Sequence, residues 1–263
     1  MDGRGREFRS RLLRRNGWSL FALESHFSRV SSRFSRVSDM AGEALPPPDE
    51  ALATEDFLAF CEQAEVLKFG NFTLKSGRTS PYFFNAGLFN TGAQIARLGK
   101  FYAHKIHTHQ TKCDLIFGPA YKGIPLAAAT AIALDQSYKI DMPFAFNRKE
   151  AKDHGEGGTI VGAPLKGRVL VVDDVITAGT ATRESASIIK SHGAQLGGLV
   201  IALDRMERGE GTGKSAVAQV EHDLGAPVFA IATLDDLISF LEKNSRLEEA
   251  KRLRLHKDQY GCE

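Results

Sequence analysis

The chain has 263 residues, 43% of them hydrophobic and 25% charged, which is ordinary for a soluble globular domain or a domain with a smaller appendage. No apolar run approaches the roughly 20 residues that a membrane-spanning helix needs, and a net charge of +2 gives no support to nucleic-acid binding. Three cysteines, Cys61, Cys113 and Cys262, are odd in number and far apart, which fits reduced intracellular thiols and neither a disulfide framework nor a zinc site.

The first 39 residues differ from the rest. Their positive charge is entirely arginine, serines cluster from Ser25 to Ser38, and acids are sparse. This is the composition of an organelle transit peptide; a disordered tail, or upstream sequence ahead of a start at Met40, fits it as well. The Pro46-Pro47-Pro48 run reads as a stiff linker. Residues 1–50 are therefore expected to be an extension and 51–263 the folded domain. A cytoplasmic location is expected, with organelle targeting as the alternative.

Phe57, Leu58, Phe60, Cys61 and Ala64 have the spacing of an amphipathic helix. Residues 66–75 and 82–85 read as strands around the turn signal Ser76-Gly77-Arg78. Residues 95–107 have helical spacing, with Leu98, Phe101 and Tyr102 on one side. Beyond them the grammar changes to short apolar runs alternating with helices. Residues 115–117 precede a helix over 125–134, residues 169–172 precede a helix over 182–191, and two more runs follow at 199–203 and 228–233. That alternation indicates βαβ units and a parallel sheet, in which ligands sit beyond the carboxyl ends of the strands. His104, His107 and His109 read as a solvent-exposed helix face, because a metal site needs further ligands and a supporting shell. Cys113 reads as packing, and residues 242–256 as a charged surface helix.

The strongest chemical signal is at 169–181. A buried strand delivers Asp173 and Asp174 to its carboxyl end; Val175, Ile176, Thr177, Ala178, Gly179, Thr180 and Ala181 then form a tight turn into a helix. The turn exposes backbone N–H groups and two hydroxyls at a helix N-terminus, where a phosphate is held by hydrogen bonds and the helix dipole. Two adjacent carboxylates repel a bare phosphate, but they accept hydrogen bonds from sugar hydroxyls or help to place magnesium. A phosphate grip beside a diol grip fits a ribose 5-phosphate.

This segment resembles the motif with which type I phosphoribosyltransferases bind 5-phosphoribosyl 1-pyrophosphate (PRPP). Four further segments resemble orotate phosphoribosyltransferases, in order and with similar spacing, over about residues 57–241. They are Phe69-Gly70-Asn71-Phe72-Thr73-Leu74-Lys75-Ser76-Gly77-Arg78 with Tyr82-Phe83-Phe84-Asn85; Phe117-Gly118-Pro119-Ala120-Tyr121-Lys122-Gly123; the charged, glycine-bearing stretch 147–159; and Leu203-Asp204-Arg205. The resemblance implies a type I phosphoribosyltransferase fold, with a central, mostly parallel sheet flanked by helices and a small hood contributed mainly by about 57–90. It implies transfer of the phosphoribosyl group of PRPP to orotate, giving orotidine 5′-phosphate and pyrophosphate in UMP synthesis.

It also implies roles. Lys75, Tyr121, Lys122, Arg148, Lys149, Lys152, His154 and the stretch from Asp173 to Ala181 would bind PRPP, with Lys149, Lys152, His154, Asp173 and Asp174 catalytic. Phe83, Phe84, Thr177 and Arg205 would bind orotate, the phenylalanines through their rings or their backbone, and Arg205 through a guanidinium–carboxylate pair. Magnesium would be held mainly through PRPP, without a set of protein ligands. Residues 147–159, read as a mobile surface loop, would reach the neighbouring site of a homodimer. Rival readings are a phosphoribosyltransferase for a purine or uracil, a PRPP-sensing regulator, and one half of a pair whose partner decarboxylates the product. A barrel of about 250 residues does not fit in the remaining chain, and no helix-turn-helix pattern supports the regulator.

Overall fold

The computed structural model describes residues 52–73, 77–152, 158–177, 179–209 and 213–262, without the side chains of Ala151 and Lys152. The proposed N-terminal extension lies outside the described residues.

Helix α1 (Thr54–Gln63) buries Phe57, Leu58, Phe60 and Cys61, the face expected from their spacing. Strands β1 (Leu67–Thr73) and β2 (Thr79–Phe84) pair antiparallel as a separate two-stranded sheet. Helix α2 (Gly92–Thr108) begins with a capping box, in which Thr91 Oγ1 accepts the Gln94 N–H and the Gln94 side chain accepts the Thr91 N–H.

The central sheet is built from β3 (Leu115–Gly118), β4 (Phe144–Lys152), β5 (Gly158–Gly162), β6 (Arg168–Asp173), β7 (Gln195–Asp204) and β8 (Val228–Thr233), in the spatial order β5-β4-β3-β6-β7-β8. All neighbours run parallel except β4 and β5. Helices α3 (Gly123–Tyr138), α4 (Thr180–Ser191), α5 (Ala216–Leu224), α6 (Leu234–Lys243) and α7 (Leu247–Tyr260) complete the domain. The six-stranded, mostly parallel sheet flanked by helices is the architecture the resemblance implied.

Because side chains alternate along a strand, a sheet covered on both faces must be apolar on both. Ile116, Leu170, Val172, Val200 and Ala202 lie in one buried cluster with α1, α2, α6 and α7; Phe117, Val169, Val171, Leu199 and Ile201 lie in another with α4 and α5. This explains why the strands read as continuous apolar runs. Strand β7 starts four residues earlier than its apolar run, since Gly197 and Gly198 give no hydrophobic signal and sit beside an irregularity in the β6–β7 register.

Two expectations are corrected. The stretch 147–159 is not simply a loop: its ends are the antiparallel arms of β4 and β5, and 153–157 lie outside the described residues. The arms pair because Phe144, Phe146, Ile160 and Val161 supply strand formers that the intervening charges obscure. The C-terminal stretch is two helices broken at 244–246, and α7 buries Ala250, Leu253 and His256 along one stripe and is no mere surface helix. The histidine face is exposed as expected at His107 and His109, while His104 is half-buried; His104 Nδ1 lies 3.0 Å from the Tyr138 hydroxyl, His107 stacks on the Tyr138 ring and His109 tilts against Phe229.

Candidate active site

The chain winds from β3 to β4 on one side of the sheet, and from β6 through β7 to β8 on the other. The strand order therefore reverses between β3 and β6. In open α/β sheets a crevice opens at such a switch point, outside the carboxyl ends of the two strands. The loops leaving those two strands are 119–122 and 174–179, the same segments singled out from sequence.

The two loops are joined. Lys122 Nζ donates to Asp174 Oδ2 at 2.7 Å, the other Asp174 oxygen accepts the Val175 N–H at 2.9 Å, and the Asp174 carbonyl accepts the Ala202 N–H at 2.8 Å. Asp174 is thereby buried with its polar atoms satisfied. Asp173 is anchored differently. Its carbonyl accepts the hydroxyl of the fully buried Tyr102 at 2.7 Å, and its Oδ1 accepts the Asp174 N–H at 2.9 Å. Burial, and then the negative charge of Asp174, push the Asp173 carboxyl up to about 7. One carboxylate of the pair is locked to a lysine; the other sits where losing its charge is easy.

The turn that follows is held from below. Ile176 is buried, whereas Thr177 and Thr180 are exposed. Gly179 precedes α4 with φ 71°, and a Cβ there would come within 2.8 Å of Val220 Cγ2, so a side chain is excluded twice over. A glycine in that place cannot cap the helix with a side chain, which leaves the first N–H groups of α4 for an external acceptor. Ala178 lies outside the described residues.

On the β3 side, Gly118 and Gly123 touch so closely that a Cβ on Gly118 would lie 2.0 Å from the Gly123 carbonyl oxygen. The loop between them holds a cis peptide at Ala120–Tyr121, and the Ala120 N–H donates to Oδ1 of the buried Asn147 at 2.9 Å. Tyr121 stands out, 66% exposed, with Lys149 Nζ 5.2 Å from its ring centroid. Strand β4 thus brings Asn147 and Lys149 to this loop. Arg148 lies between them in sequence; the side chain of Lys152, and all of Lys75 and His154, lie outside what the structure describes.

Beyond β7, Arg205 is largely buried, its guanidinium 4.6 Å from the Tyr82 ring centroid. Its Nε and Nη2 donate to Glu207 Oε1 at 3.1 and 2.6 Å, and Nη2 also reaches Ser80 Oγ at 3.3 Å. Arg205 therefore already holds a carboxylate of the protein; Nη1 has no hydrogen-bond partner among the described residues. The rings of Phe83 and Phe84 do not share a face. Neighbours in a strand point to opposite faces: Phe83 is half exposed and stacks on Phe72 at 5.5 Å, while Phe84 is buried in the core.

A family model described as the phosphoribosyl transferase domain matches residues 88–232. The chain is 60% identical over 207 residues to the orotate phosphoribosyltransferase of Thioalkalivibrio sulfidiphilus, covering 78% of this chain and 97% of that relative. The chain belongs to the orotate phosphoribosyltransferase family. A second member, from Photorhabdus laumondii, is 58% identical over 207 residues, with the same shares covered. The crystal structure of the orotate phosphoribosyltransferase of Francisella tularensis superposes with a TM-score of 0.72 at 44% identity, over 79% of this chain and all of that one.

The residues that hold the site from behind carry no signal in the sequence. Tyr102 falls on an apolar helix face, yet its hydroxyl secures the Asp173 carbonyl. Asn147 opens a charged run, yet it fixes the loop after β3. Glu207 and His256 carried no motif at all. A Tyr on an apolar helix stripe or an Asn in a strand gives no hint of a partner 71 or 27 residues away.

Proposed function

We propose that this chain transfers the 5-phosphoribosyl group of PRPP to orotate, forming orotidine 5′-phosphate and releasing pyrophosphate, in UMP synthesis. The observation that carries the reading is the Lys122–Asp174 contact, since it joins a lysine-bearing loop and a paired-acid, hydroxyl-bearing loop into one crevice at the switch point. The family relatives support orotate as the base.

In this reading the 5-phosphate of PRPP occupies the turn from Val175 through Ala181, with the Thr177 and Thr180 hydroxyls and the first N–H groups of α4 as donors. Asp173 and Asp174 accept the ribose hydroxyls. Tyr121 and Lys122 face the pyrophosphate, with Arg148, Lys149, Lys152 and His154 from the β4–β5 hairpin and Lys75 from the β1–β2 hairpin adding cations and donors. Orotate docks under the hood of about 57–90, against Arg205 through its carboxylate, near Thr177 and beside Phe83; Phe84, buried on the other face of β2, contributes its backbone. The pyrimidine nitrogen attacks C1 as the bond to pyrophosphate loosens, so the protein supplies no nucleophile. Its work is alignment of the two reactants and stabilisation of the charge that builds on pyrophosphate as the ribosyl centre becomes cationic.

The donors suit magnesium carried by the substrate. Both Asp174 oxygens are engaged, Asp173 offers one further oxygen, and among the described residues no three His, Cys, Asp or Glu side chains gather. That is too few for an all-protein cage and enough to touch a cation ligated by PRPP and water. When bound, magnesium would neutralise charge on the pyrophosphate. We further propose that residues 51–263 form the catalytic domain and 1–50 an extension, that the enzyme is a cytoplasmic homodimer, and that the 147–159 hairpin reaches the neighbouring site.

The test is pyrophosphate release with orotate, uracil, adenine and hypoxanthine, each with and without magnesium. Release with orotate alone, and only with magnesium, is expected. Preferential release with uracil or a purine overturns the base assignment, and no release with any base overturns the transferase reading.

A further inference from the structure

Arg205 does not stand alone. The oxygen of Glu207 that receives its Nε and Nη2 also lies 3.0 Å from His256 Nε2, and His256 is buried on α7, 49 residues away from Glu207 in sequence. The rings of Tyr82 and Tyr260 pack against His256 at centroid distances of 6.3 and 5.0 Å, leaving the imidazole little freedom. The backbone around Arg205 is tied to the same end of the chain: the Arg208 N–H donates to the Tyr260 carbonyl at 2.8 Å and the Cys262 N–H to the Met206 carbonyl at 3.0 Å. Burial works against a charge on Glu207, yet the donors from His256 and Arg205 hold its carboxyl below the usual range, so the acceptor stays anionic.

An arginine side chain has four rotatable bonds, and one facing an empty site loses that freedom when a carboxylate arrives. Here Glu207 fixes the Nε–Nη2 edge in advance and leaves Nη1 without a partner among the described residues. Glu207 is itself fixed by an imidazole supplied from α7. Resting on the proposal that Arg205 receives the carboxylate of orotate, we infer that Glu207 and His256 are positioning residues. Together they orient the Arg205 guanidinium, so the C-terminal helix sets the affinity for the base. The arrangement takes a planar anionic base and serves neither PRPP nor the transfer step.

The test uses the full chain with the variants His256→Leu, His256→Gln, Glu207→Gln and Arg205→Gln, measuring KM for orotate, KM for PRPP, kcat and Tm. His256→Leu keeps the bulk and loses the donor. It should raise KM for orotate about tenfold, as expected for a lost hydrogen bond to a charged group, and leave KM for PRPP within about twofold. His256→Gln, whose amide nitrogen can replace Nε2, should recover most of the loss. Loss of both KM values together, or a fall in kcat alone, would overturn the inference, because general loosening is not selective for one substrate. Should His256→Leu fail to fold, Glu207→Gln decides. It keeps an acceptor but not the charge, so a selective rise in KM for orotate supports the inference and an unchanged value overturns it. Arg205→Gln separates the two levels of argument. If it leaves KM for orotate unchanged, the carboxylate assignment fails; if it raises KM and His256→Leu and Glu207→Gln do not, only the positioning role fails.

Discussion

Replacing Gly118 by alanine tests whether the loop after β3 works as a rigid cradle. The added Cβ would lie 2.0 Å from the Gly123 carbonyl oxygen, 2.5 Å from its carbon and 2.8 Å from Ala127 Cβ. Contacts of that kind settle above 3 Å, so the start of α3 must retreat by at least about 1 Å, and the loop carrying Tyr121 and Lys122 must follow it. Overpacking of this kind costs about 1–3 kcal/mol, a fall in Tm of roughly 2–10 °C for a domain of this size. A displacement of about 1 Å in a positioning group costs on the order of 10²-fold in turnover. Gly99→Ala is the comparator. Its Cβ would meet the Ala129 carbonyl oxygen at 2.5 Å between α2 and α3, so the stability penalty is similar, but no crevice loop is pushed. Gly92→Ala, with nothing within 4 Å, is the neutral control. Differential scanning calorimetry and steady-state kinetics on the three variants should show comparable destabilisation for Gly118→Ala and Gly99→Ala, with a loss in kcat/KM for PRPP confined to Gly118→Ala. Equal kinetic losses in both, or full activity in Gly118→Ala, would refute the cradle.

Lys149→Ala and Lys152→Ala should each lower kcat by about 10²–10³, the usual cost of removing one donor that acts on transition-state charge; near-normal single-turnover rates in both would take the hairpin out of the mechanism. Tyr102→Phe removes the hydroxyl on the buried Asp173 carbonyl and should cost about 1–3 kcal/mol in urea unfolding; a change below about 0.5 kcal/mol would mean that the carbonyl finds another donor. Asp173 gives a pH dependence. Its carboxyl is raised to about 7 in the folded chain, so its contribution to stability is full below the ordinary carboxylate range and is lost as pH rises through about 7. Asp173→Asn imitates the protonated form, so its Tm in the absence of ligand should gain on the parent between about pH 5 and about pH 8; a constant difference across that window would show that Asp173 ionises normally.

The parallel sheet was legible because its strands are buried on both faces. Continuous apolar runs such as residues 169–172 and 199–203 follow from that burial, and the turns after them had to hold whatever chemistry the sheet supports. The Asp173-Asp174 pair and Lys122 were legible for the same reason, being charges placed at strand ends where burial otherwise favours apolar residues. The hairpin arms of β4 and β5 were not, since Arg148, Lys149 and Glu150 interrupt any alternation and the strands are held by partners supplied by the fold. Phe83 and Phe84 show a different limit: the resemblance implies that both meet the base through rings or backbone, and the pleat of β2 puts their rings on opposite faces. Glu207 and His256 were invisible, because a carboxylate two residues past an arginine and a histidine on a charged helix acquire meaning only when α7 packs against β2.

A crystal structure of the chain with PRPP and magnesium tests the central claim most directly. The account predicts the 5-phosphate in the turn from Val175 to Ala181, the ribose hydroxyls on Asp173 and Asp174, and the pyrophosphate beside Tyr121 and Lys122. Electron density for PRPP anywhere but the crevice between β3 and β6, or with its ribose away from the two aspartates, would contradict it.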